Sequence, residues 1–217
     1  MGIFCKKVTP EIKIGARKTE YERNSKETQI KIESLNIDGK GKASIATTIG
    51  FLDHMLTLLA YHGFFDIDLR ASGDTHVDKH HLNEDLGIAL GEAFKKALGD
   101  SKGIKRTAWA EVPMDMVSAK VLVDLSNRFA FKVSVPGKID FSGTKEEEGY
   151  SFHYAKDFLE SFAKKMCINL HIAISGDDGD MHHYLEAVFK ALGMALDEAT
   201  RLDGRRAGDV PSSKGIL

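Results

Sequence analysis

The segment HHLNEDLGIALGEA, beginning at His80, returns as HHYLEAVFKALGMA at His182, with seven identities in fourteen positions and no gap. His80/His182, His81/His183 and Glu84/Glu186 head the match; Ala89/Ala191, Leu90/Leu192, Gly91/Gly193 and Ala93/Ala195 complete it. Chance agreement between two alanine- and leucine-rich helices does not supply the polar triplet at the head of each. Working backwards, DHMLTLLA (53–60) falls over KDFLESFA (156–163), which sets His54 opposite Asp157. A chain built this way is expected to fold as two similar halves sharing one core, each half a unit that cannot bury its apolar face alone.

Local patterning fills in the halves. ETQIKIESL alternates as a strand does, Asp38-Gly39 and Gly41 predict a hairpin turn, and KASIATTIG forms the next strand up to Gly50. FLDHMLTLLAYHG reads as a short amphipathic helix closed by Gly63, FFDIDLRASGD as a strand, and HHLNEDLGIALGEAFKKALG as a longer helix stopped at Gly99. The second half follows with strands in RTAWAEVPM, AKVLVDLS and FAFKVSV, a helix near 151–166, the strand INLHIAIS and a helix over about 182–200. The acidic run TKEEEGY between them is read as a solvated loop. This gives an N-terminal extension over 1–20, a first half over 21–102, a second over 103–204 and a tail over 205–217, in one compact domain. The fold class is α+β, a two-layer sandwich of two strand-strand-helix-strand-helix halves, with helices on one face of mostly antiparallel strands.

Composition excludes several partners. A net charge of −2 provides no basic field for nucleic acid. No apolar run reaches the length of a membrane span, and MGIFCKKVTPEIK has too short an apolar core for a signal peptide. Lys6 stands where a myristoylation signal needs Ser or Thr. Cys5 and Cys167 are the only cysteines, which suits a reducing compartment. The expectation is a soluble cytoplasmic protein.

The histidine doublets carry the chemistry. Neighbouring helical residues point about 100° apart, whereas i and i+4 share a face. His80 is therefore placed to share a metal with Glu84 while His81 is aimed elsewhere, and His182 pairs with Glu186 while His183 points away. Each doublet thus serves two metals, one ligand each way. Mixed imidazole and carboxylate donors suit manganese, iron, zinc or nickel rather than calcium or magnesium. Neither doublet completes a coordination shell, so His54 and Asp157 are the natural additions, with His153, one turn before Asp157, the other candidate from that helix. His62, His76 and His171 carry no such pattern. Arg106, Arg128 and the tail VPSSKGIL, with its two hydroxyls and Lys214, offer groups that bind phosphate well. The same doublets would also serve a non-catalytic metal-binding protein or a dinuclear phosphoester hydrolase, but the first leaves the cationic, hydroxyl-bearing tail without a role. Dinuclear hydrolase sites, for their part, are usually richer in bridging Asp.

GFLDHML, the stretch from Asp74 through Gly91, DLS followed by Arg128, HHYLEAVFKA and VPSSKG together resemble the imidazoleglycerol-phosphate dehydratase family of histidine biosynthesis, and RNSKET (23–28) resembles that family's early RxTxET. The resemblance runs from about residue 22 to the C-terminus, without an attached phosphatase domain, as in the monofunctional form. It implies a hydro-lyase (lyase) of the ribosomal protein S5 domain 2-like fold, with two Mn ions per active site as cofactor. One ion would take His54, His81, His182 and Glu186; the other would take His80, Glu84, His183 and a residue of the 151–166 helix. Family members carry His at that last position, where this chain has Asp157. Asn127 and Phe129 replace the family's Gly and Pro. Arg106, Arg128, Lys190, Ser212, Ser213 and Lys214 fall on the family's substrate and phosphate contacts. Glu27 falls on its substrate-contacting Glu.

The implied reaction converts imidazoleglycerol phosphate to imidazole acetol phosphate through a metal-stabilised imidazolate, with the ions as Lewis acids and template. Glu27 and Glu186 are the candidates for proton transfer. The phosphate clamp supplies binding energy that fixes the reacting end. The resemblance also implies a homo-oligomer of 24 subunits with active sites between them.

Overall fold

The computed structural model describes residues 17–135, 149–176, 180–206 and 208–216. Its first half runs β1 (Lys18–Asn24), β2 (Thr28–Asn36), β3 (Ala43–Ala46), α1 (Gly50–His62), β4 (Asp66–Gly73) and α2 (His80–Leu98). The second runs β5 (Thr107–Met114), β6 (Val117–Asp124), β7 (Ala130–Ser134), α3 (Phe152–Met166), β8 (Asn169–Gly176) and α4 (Met181–Thr200). Each half forms a four-stranded sheet in matching order, β1-β2-β4-β3 and β5-β6-β8-β7. The expected α+β architecture of two similar halves is what the chain adopts. One strand, β1, comes before those expected in the first half and starts inside the stretch read as an extension.

Alternation builds the sheets. β2 buries Thr28, Ile30 and Ile32, then skips a phase and buries Leu35. The skip coincides with a register shift against β4 between Ile32 and Ser34, so the bulge keeps both apolar sets on the core face. Pro113, which has no N–H to give a ladder, sits on β5 at a sheet edge.

The hairpin expected at Asp38-Gly39 is not formed. β3 pairs with β4 in parallel and β4 lies between β3 and β2. A parallel pair needs a crossover, and α1 supplies it. The turn is instead pinned across the sheet end: the backbone N–H groups of Lys40 and Lys42 donate to Asp66 Oδ1 at 2.8 and 3.0 Å. Gly41, at φ 80°, fits there because a side chain would press on the Tyr61 carbonyl.

The helices of each half cover one face of their own sheet and pack on the helices of the other half, α2 against α3 and α1 against α4. Glycines set both crossings. A Cβ on Gly91 would lie 2.6 Å from the Phe162 carbonyl oxygen, and one on Gly193 would lie 2.5 Å from that of Leu59. Gly91 aligns with Gly193 and Phe162 with Leu59, so one contact is made twice. Buried Phe65, Phe94 and Phe162 form an edge-to-face chain through the core, and Phe158 stacks on Phe189. Each fully buried phenyl ring is worth roughly 1.5–3 kcal/mol in transfer energy. Among the described residues no helix is long and apolar enough to cross a membrane.

Candidate active site

The α1/α4 crossing brings His54, His182 and Glu186 together. Asp180 caps α4 by accepting the His182 backbone N–H at 2.8 Å, which fixes the doublet on the first turn. His54 Nε2 lies 2.8 Å and His182 Nε2 3.1 Å from the same oxygen, Glu186 Oε1. Lys190, one turn on, donates to Glu186 Oε2 at 2.5 Å. Burial alone would raise the Glu186 pKa. The hydrogen bonds from Lys190, His54 and His182 overcome it and hold the carboxyl down at about 2. Phe51 meets the His182 ring edge-on at 5.3 Å and fixes its tilt.

The α2/α3 crossing makes a second cluster from His80, His153 and Asp157. His80 sits between carboxylates, with Nδ1 2.7 Å from Asp157 Oδ2 and Nε2 3.7 Å from Glu84 Oε2. His153 Nε2 is 3.4 Å from the same Asp157 oxygen. The cluster opens into a cleft of about 250 Å³ that also holds Glu160, Lys164 and Lys165.

The doublets diverge as helical geometry requires. His80 meets Asp157 while His81 meets Asp74, and His182 meets Glu186 while His183 meets Asp115. His81 Nδ1 lies 3.2 Å from Asp74 and 3.9 Å from Glu27. The hydrogen bond that His81 gives to the Asp74 carboxylate raises the His81 pKa, with the charge of Glu27 adding to it. His183 Nε2 lies 3.4 Å from Asp115 and 3.8 Å from Asp180. Of one expected set, His54, His182 and Glu186 are gathered and His81 is not; of the other, His80 and Asp157 are gathered, Glu84 meets the opposite ring nitrogen of His80, and His183 lies against Asp115 and Asp180 instead.

Glu27 is set by the turn that RNSKET encodes. Ser25 Oγ accepts the backbone N–H groups of Glu27 and Thr28, and Thr28 Oγ1 donates to buried Asp85 at 2.5 Å. Arg23 donates to the same carboxylate. The motif thus fastens β2 to α2 beside His81.

Three of the cations expected on phosphate, Lys190, Arg106 and Arg128, are engaged within the chain. Lys190 is on Glu186. Arg106 pairs with Asp124 through Nε and Nη2 and donates to the Pro211 carbonyl at 2.9 Å, which ties the tail to the second sheet. Its backbone has φ 78°, rare for a residue with a side chain. The arrangement is held by Arg106 N–H donating to Ala199 and by Leu125 N–H donating to the Arg106 carbonyl. Arg128 donates to the Ser126 carbonyl at 3.4 Å. Ser212 closes a turn by accepting from Lys214 and Gly215 N–H, leaving Ser213 and Lys214 exposed. Asn127, at the family's Gly position, takes φ 55°, which Asn tolerates better than other residues with a side chain.

One arrangement escaped the sequence reading. Tyr150, the last residue of the stretch read as a solvated acidic loop, is fully buried; residues 144–148 of that stretch lie outside the described residues. Its hydroxyl donates to Asn83 Oδ1 and its ring stacks on Phe51 at 4.9 Å. Asn83 lies between His80 and Glu84 on α2, and Phe51 touches His182, so a chain of contacts through buried Asn83 and Tyr150 and half-buried Phe51 joins the two clusters. An aromatic beside a charged run carries no periodic signal by which it could have been found.

Comparisons with known proteins agree with this geometry. The family model described as imidazoleglycerol-phosphate dehydratase matches residues 47–196. The imidazoleglycerol-phosphate dehydratase of Thermoanaerobacter sp. (strain X514) is 50% identical over 201 residues, covering 93% of this chain and 100% of the relative. That of Geobacillus kaustophilus is 47% identical over 204 residues, covering 93% and 100%. The crystal structure of the Pyrococcus furiosus enzyme in complex with (S)-C348 superposes with a TM-score of 0.74 at 36% identity, over 90% of this chain and 99% of that one. With a family model over most of its length and relatives near half identity across it, the chain belongs to the imidazoleglycerol-phosphate dehydratase family of hydro-lyases.

Proposed function

We propose that this chain dehydrates imidazoleglycerol phosphate to imidazole acetol phosphate in histidine biosynthesis, and that the reaction depends on two divalent metal ions, manganese first among them. The observation that carries the metal dependence is the pair of clusters. In each, two imidazole nitrogens converge on one carboxylate oxygen, with the candidate donor atoms within 4.8 Å of one another. That donor set fits a borderline or hard transition metal. His54, His182 and Glu186 would hold one ion; His80 and Asp157 would hold the other, and Glu84, now on the opposite ring nitrogen of His80, would join it on a turn of that ring. Bound there, the ions would supply Lewis-acid polarisation of the substrate imidazole, easing loss of the hydroxyl from the adjacent carbon.

The remaining work falls to the chain's own side chains. Glu186, ionised far below neutral pH, serves as ligand and acceptor, while exposed Glu27 beside His81 is placed to exchange a proton with solvent. Arg106, Arg128, Lys190, Ser212, Ser213 and Lys214 would bind the phosphate, with Arg106 giving up part of its pairing with Asp124 to do so. His81 and His183 point away from the clusters of their own chain, so they would complete those of neighbouring copies. A closed assembly of 24 subunits with active sites between them fits that need. We read the halves as a duplicated unit and set the enzyme in the cytoplasm, where Cys5 and Cys167 stay reduced.

The test is product formation by chelated protein with and without added Mn. Product that requires the metal supports the reading. Product at an undiminished rate in metal-free protein overturns the metal dependence, and no product from the metal-loaded, assembled protein overturns the reaction.

A further inference from the structure

The two clusters are built by equivalent helix pairs, yet their donors differ. His54 on α1 falls opposite Asp157 on α3, so one cluster has an imidazole where the other has a carboxylate. His182 and Glu186 correspond to His80 and Glu84. By position alone, the second cluster would therefore keep one imidazole and two carboxylates. What stands beside Asp157 is His153, one turn ahead on the same helix. The residue opposite His153 in α1 is Gly50, so the first half has no counterpart to it.

Each cluster then sets two imidazole nitrogens on one carboxylate oxygen, that of Glu186 on α4 in the first and that of Asp157 on α3 in the second. His54 and His182 nitrogens lie 2.8 and 3.1 Å from Glu186 Oε1. The His80 and His153 nitrogens lie 2.7 and 3.4 Å from Asp157 Oδ2. The His80 and His153 rings are within 10° of parallel, with centroids 6.0 Å apart. With metal–ligand bonds of about 2.1 Å, donors around one ion lie about 3 Å apart when adjacent and about 4.2 Å when opposite. His80, His153 and Asp157 offer atoms all within 4.8 Å of one another, so small side-chain adjustments bring them onto one ion.

We propose that His153 is a ligand of the ion at His80, so that α3 delivers an imidazole and a carboxylate where α1 delivers an imidazole alone. This rests on the two-ion reading above. The imidazole missing at residue 157 is thereby restored one helical turn earlier. The site also gains a carboxylate that its counterpart lacks, which shifts its preference toward harder ions such as Mn over Zn. The two ions should accordingly bind with separable affinities.

The experiment is Mn titration of the full, assembled chain, with bound metal counted per subunit and pulsed EPR reading the nitrogen ligands. Wild type should bind two ions. His153→Ala should keep the ion at His54, weaken the other by about tenfold or more, and lose one nitrogen coupling. The double variant His153→Ala/Asp157→His, which moves the imidazole to the position opposite His54, should recover the second ion. His153→Gln, which keeps polarity and bulk, should show the same loss as His153→Ala, so a folding defect in the alanine variant does not decide the matter. Unchanged second-site affinity and unchanged nitrogen couplings in His153→Gln overturn the ligand role while leaving the two-ion reading intact. Wild type that binds no ion overturns the two-ion reading itself.

Discussion

Gly87 on α2 tests whether the helix crossing sets the site. A Cβ there would lie 2.4 Å from the Phe158 carbonyl oxygen and 3.1 Å from the Phe162 nitrogen, both backbone atoms of α3 that no rotamer change can move. Since such contacts are essentially never shorter than 3.0 Å, Gly87→Ala must separate the helices by about 0.6 Å. Overpacking of this kind costs about 1–3 kcal/mol, against which alanine returns about 1 kcal/mol of helix propensity. The net loss is about 0–2 kcal/mol, or up to roughly 8 °C in melting temperature for a domain of this size. The control is Gly50→Ala on the first turn of α1, where the methyl meets nothing within 4 Å and should be neutral or stabilising. Melting of chelated protein at one fixed concentration gives the comparison. A displacement above about 0.5 Å also exceeds what a coordination site tolerates. Gly87→Ala should therefore weaken Mn binding at His80 and spare the site at His54. If Gly87→Ala melts with or above Gly50→Ala, the α2/α3 contact has slack and the crossing does not set the site.

Lys190→Met should destabilise the chelated protein at pH 7 by about 1–2 kcal/mol, part of the roughly 3 kcal/mol implied by a Glu186 carboxyl moved from 4.5 to about 2. Because the folded-state pKa is depressed, that contribution is complete above pH 4.5 and is lost as pH falls through about 2. Urea titrations should show the gap from wild type narrowing below pH 4.5, and a gap constant with pH would contradict the assignment. Tyr150→Phe leaves the buried Asn83 oxygen without its donor and should cost about 1–3 kcal/mol in chemical denaturation; an unchanged midpoint would show the hydrogen bond contributes nothing. Chelation should shrink the assembly in sedimentation velocity and Mn should restore it, while an assembly indifferent to metal would mean that His81 and His183 do not bridge copies.

The aligned doublets made the two-half architecture legible, because a polar triplet repeated at the head of two helices survives variation in the strands around it. The i, i+4 rule foresaw which histidine of each doublet meets its own glutamate, and the halves' alignment placed Asp157 against His80. The β3 connection was misread because Asp-Gly and a following Gly make the strongest local hairpin signal. What decides β3's place is the α1 crossover, a long-range fact that no turn residue encodes. Tyr150 was hidden for the opposite reason: it is one aromatic next to an acidic run, buried by partners at residues 51 and 83. Partners such as Asp74 for His81 and Asp115 for His183 lie in turns, where spacing says little about direction.

The doublet itself explains why the clusters stop one imidazole short. Consecutive residues on a helix cannot face the same ion, so a chain that places His80 and His182 at its own helix crossings turns His81 and His183 outward. Lengthening the loops would not change this, since the divergence is set by the helical repeat. A lone copy therefore carries half-built sites: at the α2/α3 crossing, Glu84 and Asp157 lie on the two ring nitrogens of His80. Whatever supplies positive charge there, metal or protonated histidine, lowers the energy of the folded chain as well as serving its chemistry. By linkage, a ligand bound only by the native, assembled form stabilises fold and assembly together. On the two-ion reading, then, metal affinity, assembly and the spacing of α2 from α3 are one coupled quantity, and a change in any one should register in the other two.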